Sequence, residues 1–124
     1  MIYYKCNVCN NILGSAEEKD LNISCCNEYM YKLVSNTVDA SKEKHLPVVN
    51  VKGNIVEVVV GSDLHPMTAE HHISWVAIET REGRQRKNLV LDAEPKVTFA
   101  LVEGDEIVSA CAYCNLHGLW RLNV

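Results

Sequence analysis

Four of the chain's six cysteines fall within its first 26 residues, as Cys6-x2-Cys9 and the adjacent pair Cys25-Cys26. The segment around them, residues 1–36, has few large apolar side chains and several turn formers (Asn10-Asn11, Gly14-Ser15, Lys19-Asp20). So little core cannot offset the entropy of ordering the chain. Small modules of this kind fold when a bound metal supplies the missing free energy. Four thiolates suit a tetrahedral zinc or a single iron. The adjacent pair is the unusual element, because neighbours on an extended chain point to opposite faces. Two adjacent thiols on one metal therefore require a bent backbone and predict a distorted tetrahedron.

The opening MIYYKCNVCNNI has no apolar run followed by a small-residue cleavage site, so no secretory leader is expected. Six cysteines in a cytoplasmic chain favour metal binding over a disulfide framework. No apolar run is long enough to span a membrane. A net charge of −4 argues against a nucleic-acid-binding surface.

Residues 35–44 (SNTVDASKEK) are polar and read as a linker, which divides the chain into domains 1–36 and 37–124. Beyond the linker the pattern is β. Val48, Val49 and Val51 face Ile55 to Val60 across Lys52-Gly53-Asn54, a hairpin signature. Further strands are expected at 73–80, 87–91, 96–101, 106–113 and 119–124, with turns at Arg81-Glu82-Gly83 and Glu103-Gly104-Asp105. About seven short strands with regular turn signals predict an antiparallel β-sandwich. No segment shows a helical period.

All five histidines, His45, His65, His71, His72 and His117, lie in this second part, together with Cys111 and Cys114. Each is placed in a loop or at a strand end, where sites are usually built. His65 and His71 are six apart, about 240° around a helix, so one helical face cannot carry both. They must approach a common metal from a loop that Pro66 makes irregular. His71 and His72 are adjacent at a strand start, so at most one of them binds a given metal. Cys111 and Cys114 have C-x-x-C spacing, but on a strand they face opposite ways, which argues against joint ligation. Cys114 and His117 could both be presented by a turn before Gly118. Several imidazoles with one thiolate suit iron, copper or zinc, and more nitrogen ligands than four-coordination needs point away from structural zinc.

Taken together, YKCNVCNNI with ISCCNEYM, then EKHLPV, HPMTAEHHISW and YCNLHG, resemble the desulfoferrodoxins, the two-iron superoxide reductases, over nearly the whole chain. The resemblance implies an all-β protein: a small desulforedoxin-like domain followed by an immunoglobulin-like seven-stranded sandwich. It implies two irons. One would be held by Cys6, Cys9, Cys25 and Cys26. The other would be held by His45, His65, His71 and His117 as four equatorial ligands and by Cys114 as an axial thiolate, leaving one position open. His71 is preferred to His72 because the family's ligand stands six residues after the His of H-P-M and four before the Trp, here Trp75. Position 72 is often aromatic in the family, and Cys111 has no counterpart in its motif.

The activity implied is one-electron reduction of superoxide to hydrogen peroxide. Lys44 would attract the anionic substrate and assist its protonation through water, offsetting the repulsion of an acidic protein. Glu43 would be the carboxylate that takes the open position after oxidation. The thiolate would push electron density onto the iron, tuned by backbone N–H groups around Leu116 and His117. A rubredoxin-like electron donor and a homodimer are also implied. The competing expectations are an iron-binding electron carrier without catalysis, a zinc-stapled binding module, and a superoxide dismutase.

Overall fold

Strands account for almost all of the regular structure in the computed structural model, which describes residues 1–124 and divides into two compact units, Met1–Val34 and Ser35–Val124. The first unit holds β1 (Tyr3–Lys5), β2 (Ile12–Gly14), β3 (Ser24–Cys25), β4 (Glu28–Tyr29) and β5 (Tyr31–Lys32). β1 pairs antiparallel with β2 and β5, and β3 with β4 forms a separate two-stranded ribbon. Its buried apolar cluster contains only Tyr4, Cys6 and Met30, edged by Ile2, Ile23 and Cys25. Two of those six residues are cysteines, so this core is inseparable from the thiol cluster.

The second unit contains one helical turn, α1 (Lys42–His45), and seven strands. These are β6 (Pro47–Lys52), β7 (Ile55–Val60), β8 (Ile73–Thr80), β9 (Arg84–Asn88), β10 (Lys96–Ala100), β11 (Ile107–Cys114) and β12 (Gly118–Asn123). They form two antiparallel sheets, ordered β10-β7-β6 and β12-β11-β8-β9. In chain order the seven strands split as 5-2-1 and 7-6-3-4, an immunoglobulin-like arrangement. Val56, Val58 and Val60 alternate inward from β7 to meet Val76, Ile78, Ala110 and Ala112 from the facing sheet, with Phe99 between them. The small alanines on β11 leave room for the valines opposite, as dense packing requires.

Several boundaries differ from the sequence expectation. The strand expected at 87–91 is Arg84–Asn88, because the hairpin closes immediately after Gly83, with Thr80 N–H donating to Gly83 C=O. The apolar Leu89-Val90-Leu91 that suggested the later start lies beyond the strand, and Val90 is exposed. The polar 35–44 stretch is more ordered than a linker. Asn36 brackets β12, its side chain bonding both the N–H and the C=O of Arg121. Residues 42–45 form the helical turn, too short to leave a periodic signal.

Gly61 fixes where that turn sits. Its N–H donates to Leu46 C=O, while Asp63 N–H and the Ser62 hydroxyl donate to Glu43 C=O. Gly61 has φ +91°, and a Cβ there would collide with Asp63 C=O and stand 2.9 and 3.0 Å from the Lys44 and Glu43 carbonyls. Gly61→Ala should therefore lower stability by about 1–3 kcal/mol through forced left-handed geometry and displacement of the 43–44 turn. Chemical denaturation checks this, and an unchanged midpoint would show that the turn does not depend on the close approach.

Candidate metal centres

In the first unit the Cys6, Cys9, Cys25 and Cys26 sulfurs lie within 4.8 Å of one another. Cys6 and Cys9 sit on a knuckle closed by Cys6 N–H to Asn11 C=O and Asn10 N–H to Cys6 C=O, with Asn10 at φ 64°. The bend required by the adjacent pair is a two-residue hairpin turn. Cys25 pairs with Glu28, and Cys26 and Asn27 between them have φ 53° and 63°. Positive φ at both positions is the type I′ geometry that matches the twist of a hairpin, and it favours Asn. This turn brings Cys26 Sγ to 3.9 Å from Cys25 Sγ, which is itself 3.6 Å from Cys9 Sγ. The Cys9 backbone N–H is the main influence that lowers the Cys6 thiol to about 7. Hydrogen bonds among the thiols raise Cys25 to about 12. Crowded sulfurs cannot all ionise unaided, whereas a bound cation makes four thiolates favourable.

In the second unit five side chains converge from four places. His45 ends α1, His65 and His71 come from the β7–β8 connection, Cys114 ends β11, and His117 lies in the turn before β12. His45, His65, His71 and Cys114 have ligand atoms within 4.8 Å of one another. His117 Nδ1 joins them at 2.9 Å from His45 Nε2 and 3.8 Å from Cys114 Sγ. The four rings form a closed circuit, His45–His65–His71–His117, with neighbouring centroids 4.7, 4.5, 5.0 and 4.8 Å apart and nearly perpendicular. The diagonal His45–His71 is longer, 6.2 Å, and its rings are tilted by only 33°. This is a square of imidazoles, where a tetrahedral site would make all separations alike.

Neighbouring groups choose which nitrogen each ring offers. His45 Nδ1 is 2.6 Å from Ser41 C=O and His65 Nδ1 is 2.7 Å from Pro66 C=O, so both rings donate there and turn Nε2 inward. Trp120 packs against the His45 ring at 4.9 Å and donates its indole N–H to His117 C=O. Met67 is buried in the core, and its sulfur accepts Ile73 N–H, pinning the loop between His65 and His71. Cys114 is fully buried, which raises its thiol, while N–H groups of His117 and Leu116 oppose the rise.

A β-bulge separates His71 from His72. Tyr113 pairs with Trp75 but Cys114 pairs with Ile73, which leaves Ser74 as an extra residue on β8. Ile73 therefore joins Val76 and Ile78 in the core, although strict alternation would send it outward. Carried back two residues, the same face holds His71. Its Nε2 is buried, while His72 Nδ1 is bonded to Thr68 C=O.

The donor set fits a metal. Nε2 of His65 and Nε2 of His71 are buried without any hydrogen-bond partner. An orphaned buried polar atom costs about 1–3 kcal/mol, and one cation at the centre of the ring circuit would satisfy both. Five protein ligands, four of them nitrogens in a square, exceed a structural zinc's tetrahedron and suit an iron with one further position. Cys111 is half-buried on β11 and outside both clusters. Sequence reasoning missed Asn115, Trp120 and the parts played by Ser41 and Pro66. Two of these act through backbone carbonyls, which any residue type carries and no motif marks.

The Desulfoferrodoxin family profile matches residues 37–123. A desulfoferrodoxin homolog of Archaeoglobus fulgidus is 41% identical over 121 residues, covering 98% of this chain and 95% of its own length. Among solved structures, the superoxide reductase from Treponema pallidum is similar with a TM-score of 0.84 and 42% identity, covering 97% of this chain and 98% of that one. A one-iron superoxide reductase from Giardia intestinalis is 31% identical with a TM-score of 0.57, covering 67% of this chain and 98% of that one.

Burial holds the His45, His65 and His71 rings below the ordinary histidine value of 6.5, His65 at about 4. As pH falls, the unfolded chain takes up these protons first. For the metal-free protein this stabilisation is complete above about 6.5 and declines toward about 4. Chemical denaturation followed by the two tryptophans, Trp75 and Trp120, both in the second unit, should give a lower midpoint at pH 5 than at pH 7. The drop should shrink in His65→Gln, and an equal drop in both proteins would contradict the assignment.

Proposed function

The chain belongs to the desulfoferrodoxin family, and on that premise we propose that it is a superoxide reductase, converting superoxide, one electron and two protons into hydrogen peroxide without releasing oxygen. The observation that carries this reading is the square of four imidazoles gathered with a buried thiol, with two ring nitrogens that have no other partner. His45, His65, His71, His117 and Cys114 hold one iron, and Cys6, Cys9, Cys25 and Cys26 hold the other. A ferrous iron held at the histidine centre would supply the electron and a position for the substrate. The remaining work belongs to the chain. Cys114 provides an anionic donor whose strength is tempered by the N–H groups of Leu116 and His117. Lys44 is exposed, and its charge reaches both His45 and His71, each of which it disfavours from protonating. Lys44 directly precedes His45 on α1, and in this reading its charge would attract an anionic substrate to an otherwise acidic protein and relay protons through water.

Glu43 is the competing anion. Its carboxylate is held below the ordinary range by its own backbone N–H and by the Ser41 hydroxyl, which donates to Oε2 at 2.9 Å. It is ionised at neutral pH and adjacent to Lys44, so it would be the chain's own anion able to compete for a metal held by the rings. The reaction consumes one electron per superoxide, so a donor protein is required. We assign this role to a rubredoxin-like carrier, with the enzyme acting as a homodimer in the cytoplasm, where thiolate ligands are kept reduced. No helix is long and apolar enough to cross a membrane.

Purified protein should contain two irons per chain, one for each cluster. With a reductant present it should yield peroxide with no oxygen above the spontaneous background. Oxygen released in step with peroxide would identify a dismutase, and a single iron with no superoxide reaction would identify a carrier. Cys114→Ser should remove the thiolate-to-iron absorption of the oxidised histidine centre and leave that of the four-cysteine centre in place. Lys44→Ala should slow the second-order reaction with superoxide by about tenfold and flatten its dependence on ionic strength. Pulse radiolysis measures both effects, and an unchanged rate removes Lys44 from the mechanism.

A further inference from the structure

The backbone ladder between β8 and β11 stops at the pair Cys114–Ile73. Two ligands lie past its end, His71 two residues beyond on one side and His117 three residues beyond on the other. Ladder hydrogen bonds therefore fix neither ring. One side chain continues the pairing where the backbone stops. Asn115 N–H donates to His72 C=O at 3.2 Å, as a ladder residue would. Its side-chain Oδ1 accepts His72 N–H at 2.9 Å, standing in for the carbonyl that a further strand residue would offer. Its Nδ2 donates to Glu70 C=O at 2.9 Å. The amide thus grips the backbone immediately before and after His71, while its own main chain lies between Cys114 and His117.

Only a carboxamide on a short stem meets this requirement. It presents an acceptor and a donor side by side, matching a backbone N–H and C=O two residues apart. Aspartate has no donor for Glu70, and alanine reaches neither group. From the other side Thr68 holds the main chain of His71. Thr68 Oγ1 accepts His71 N–H at 3.1 Å, and Thr68 N–H donates to His71 C=O at 2.9 Å. The His71 main chain is thereby held on both flanks, whereas its ring, unlike those of His45 and His65, has no carbonyl bonded at Nδ1. The rings of His45 and His65 are oriented by carbonyls, whereas His71 is oriented through its backbone.

We propose that Asn115 is a positioning residue that sets the His71 imidazole relative to the Cys114 thiolate, and so governs metal retention at the histidine centre. This rests on the reading of His71, Cys114 and His117 as ligands of one metal. The groups involved touch no substrate, so the effect should appear in the metal's environment before it appears in turnover.

The test uses the full-length two-iron protein, with the four-cysteine iron as an internal reference. A chelator challenge is followed at the absorption bands of both centres in the wild type, Asn115→Ala and Asn115→Asp. Asn115→Ala should lose the histidine-centre iron about 10–100-fold faster, the range for removing a group that orients a ligand, with its thiolate band shifted. The four-cysteine iron should leave at the wild-type rate. Asn115→Asp keeps the acceptor for His72 N–H and should fall between the two. Unchanged release and an unshifted band in Asn115→Ala would overturn the proposal, as would equal acceleration at both centres, which marks general loosening. His71→Ala separates this from failure of the ligand reading. If that variant keeps its histidine-centre iron with an unshifted band, His71 is not a ligand. If it loses the iron while Asn115→Ala retains it, His71 stands as a ligand and the role of Asn115 is refuted.

Discussion

Two imidazole nitrogens, one on His65 and one on His71, are buried with no hydrogen-bond partner. A protein of this size has only modest net stability to draw on, and it does not leave such atoms unpaired without a compensating partner. The second unit is organised around that requirement. Carbonyls of Ser41 and Pro66 hold two rings with Nε2 inward, and a tryptophan covers His45. Neutral rings are what burial enforces, and neutral rings are what a metal needs. The environment that makes these histidines poor bases therefore makes them ready ligands.

The sandwich contributes less chemistry than placement. Its seven strands bury an ordinary valine-rich core, and the histidines are gathered around Cys114 at the end of that core, where the β8–β11 ladder terminates. Three local devices set their positions. The bulge at Ser74 turns His71 and Ile73 to the core side. Gly61 lets the Glu43 and Lys44 carbonyls approach closely, Glu43 C=O being bonded by Asp63 N–H and the Ser62 hydroxyl, and Asn115 extends the pairing past the last ladder residue. Each acts on main-chain geometry, and the reactive side chains follow from it. This suits a site that must keep a square of rings while one side stays free for a small anion.

The two centres solve the same electrostatic problem differently. The four-cysteine site crowds thiols that cannot all ionise by themselves, Cys6 being lowered and Cys25 raised, and a bound cation would make four thiolates favourable. The histidine site gathers neutral groups around one thiol and surrounds that thiol with apolar core. The first arrangement closes four positions tightly. The second leaves capacity for a ligand from solution, with Lys44 supplying the only formal charge of the E-K-H motif that favours an anion.

The sequence alone determined the ligand types and much of their surroundings. Cysteine spacing in a core-poor segment demanded a metal. Alternating valines with regular turns demanded a sandwich, and the loop positions of the histidines followed from Pro66 and from strand ends. These features were legible because they rest on composition and short-range periodicity. The start of β9 was misplaced because the apolar Leu89-Val90-Leu91 outweighed a turn whose closing hydrogen bond lies in the backbone. Tertiary structure decided the rest: the square order of the rings, the nitrogens that His45 and His65 turn inward, and the part played by Asn115. All of these depend on which main-chain carbonyls and N–H groups meet across the fold. Every residue carries those groups, so residue identity cannot encode their meeting, and only the assembled sheets bring them together.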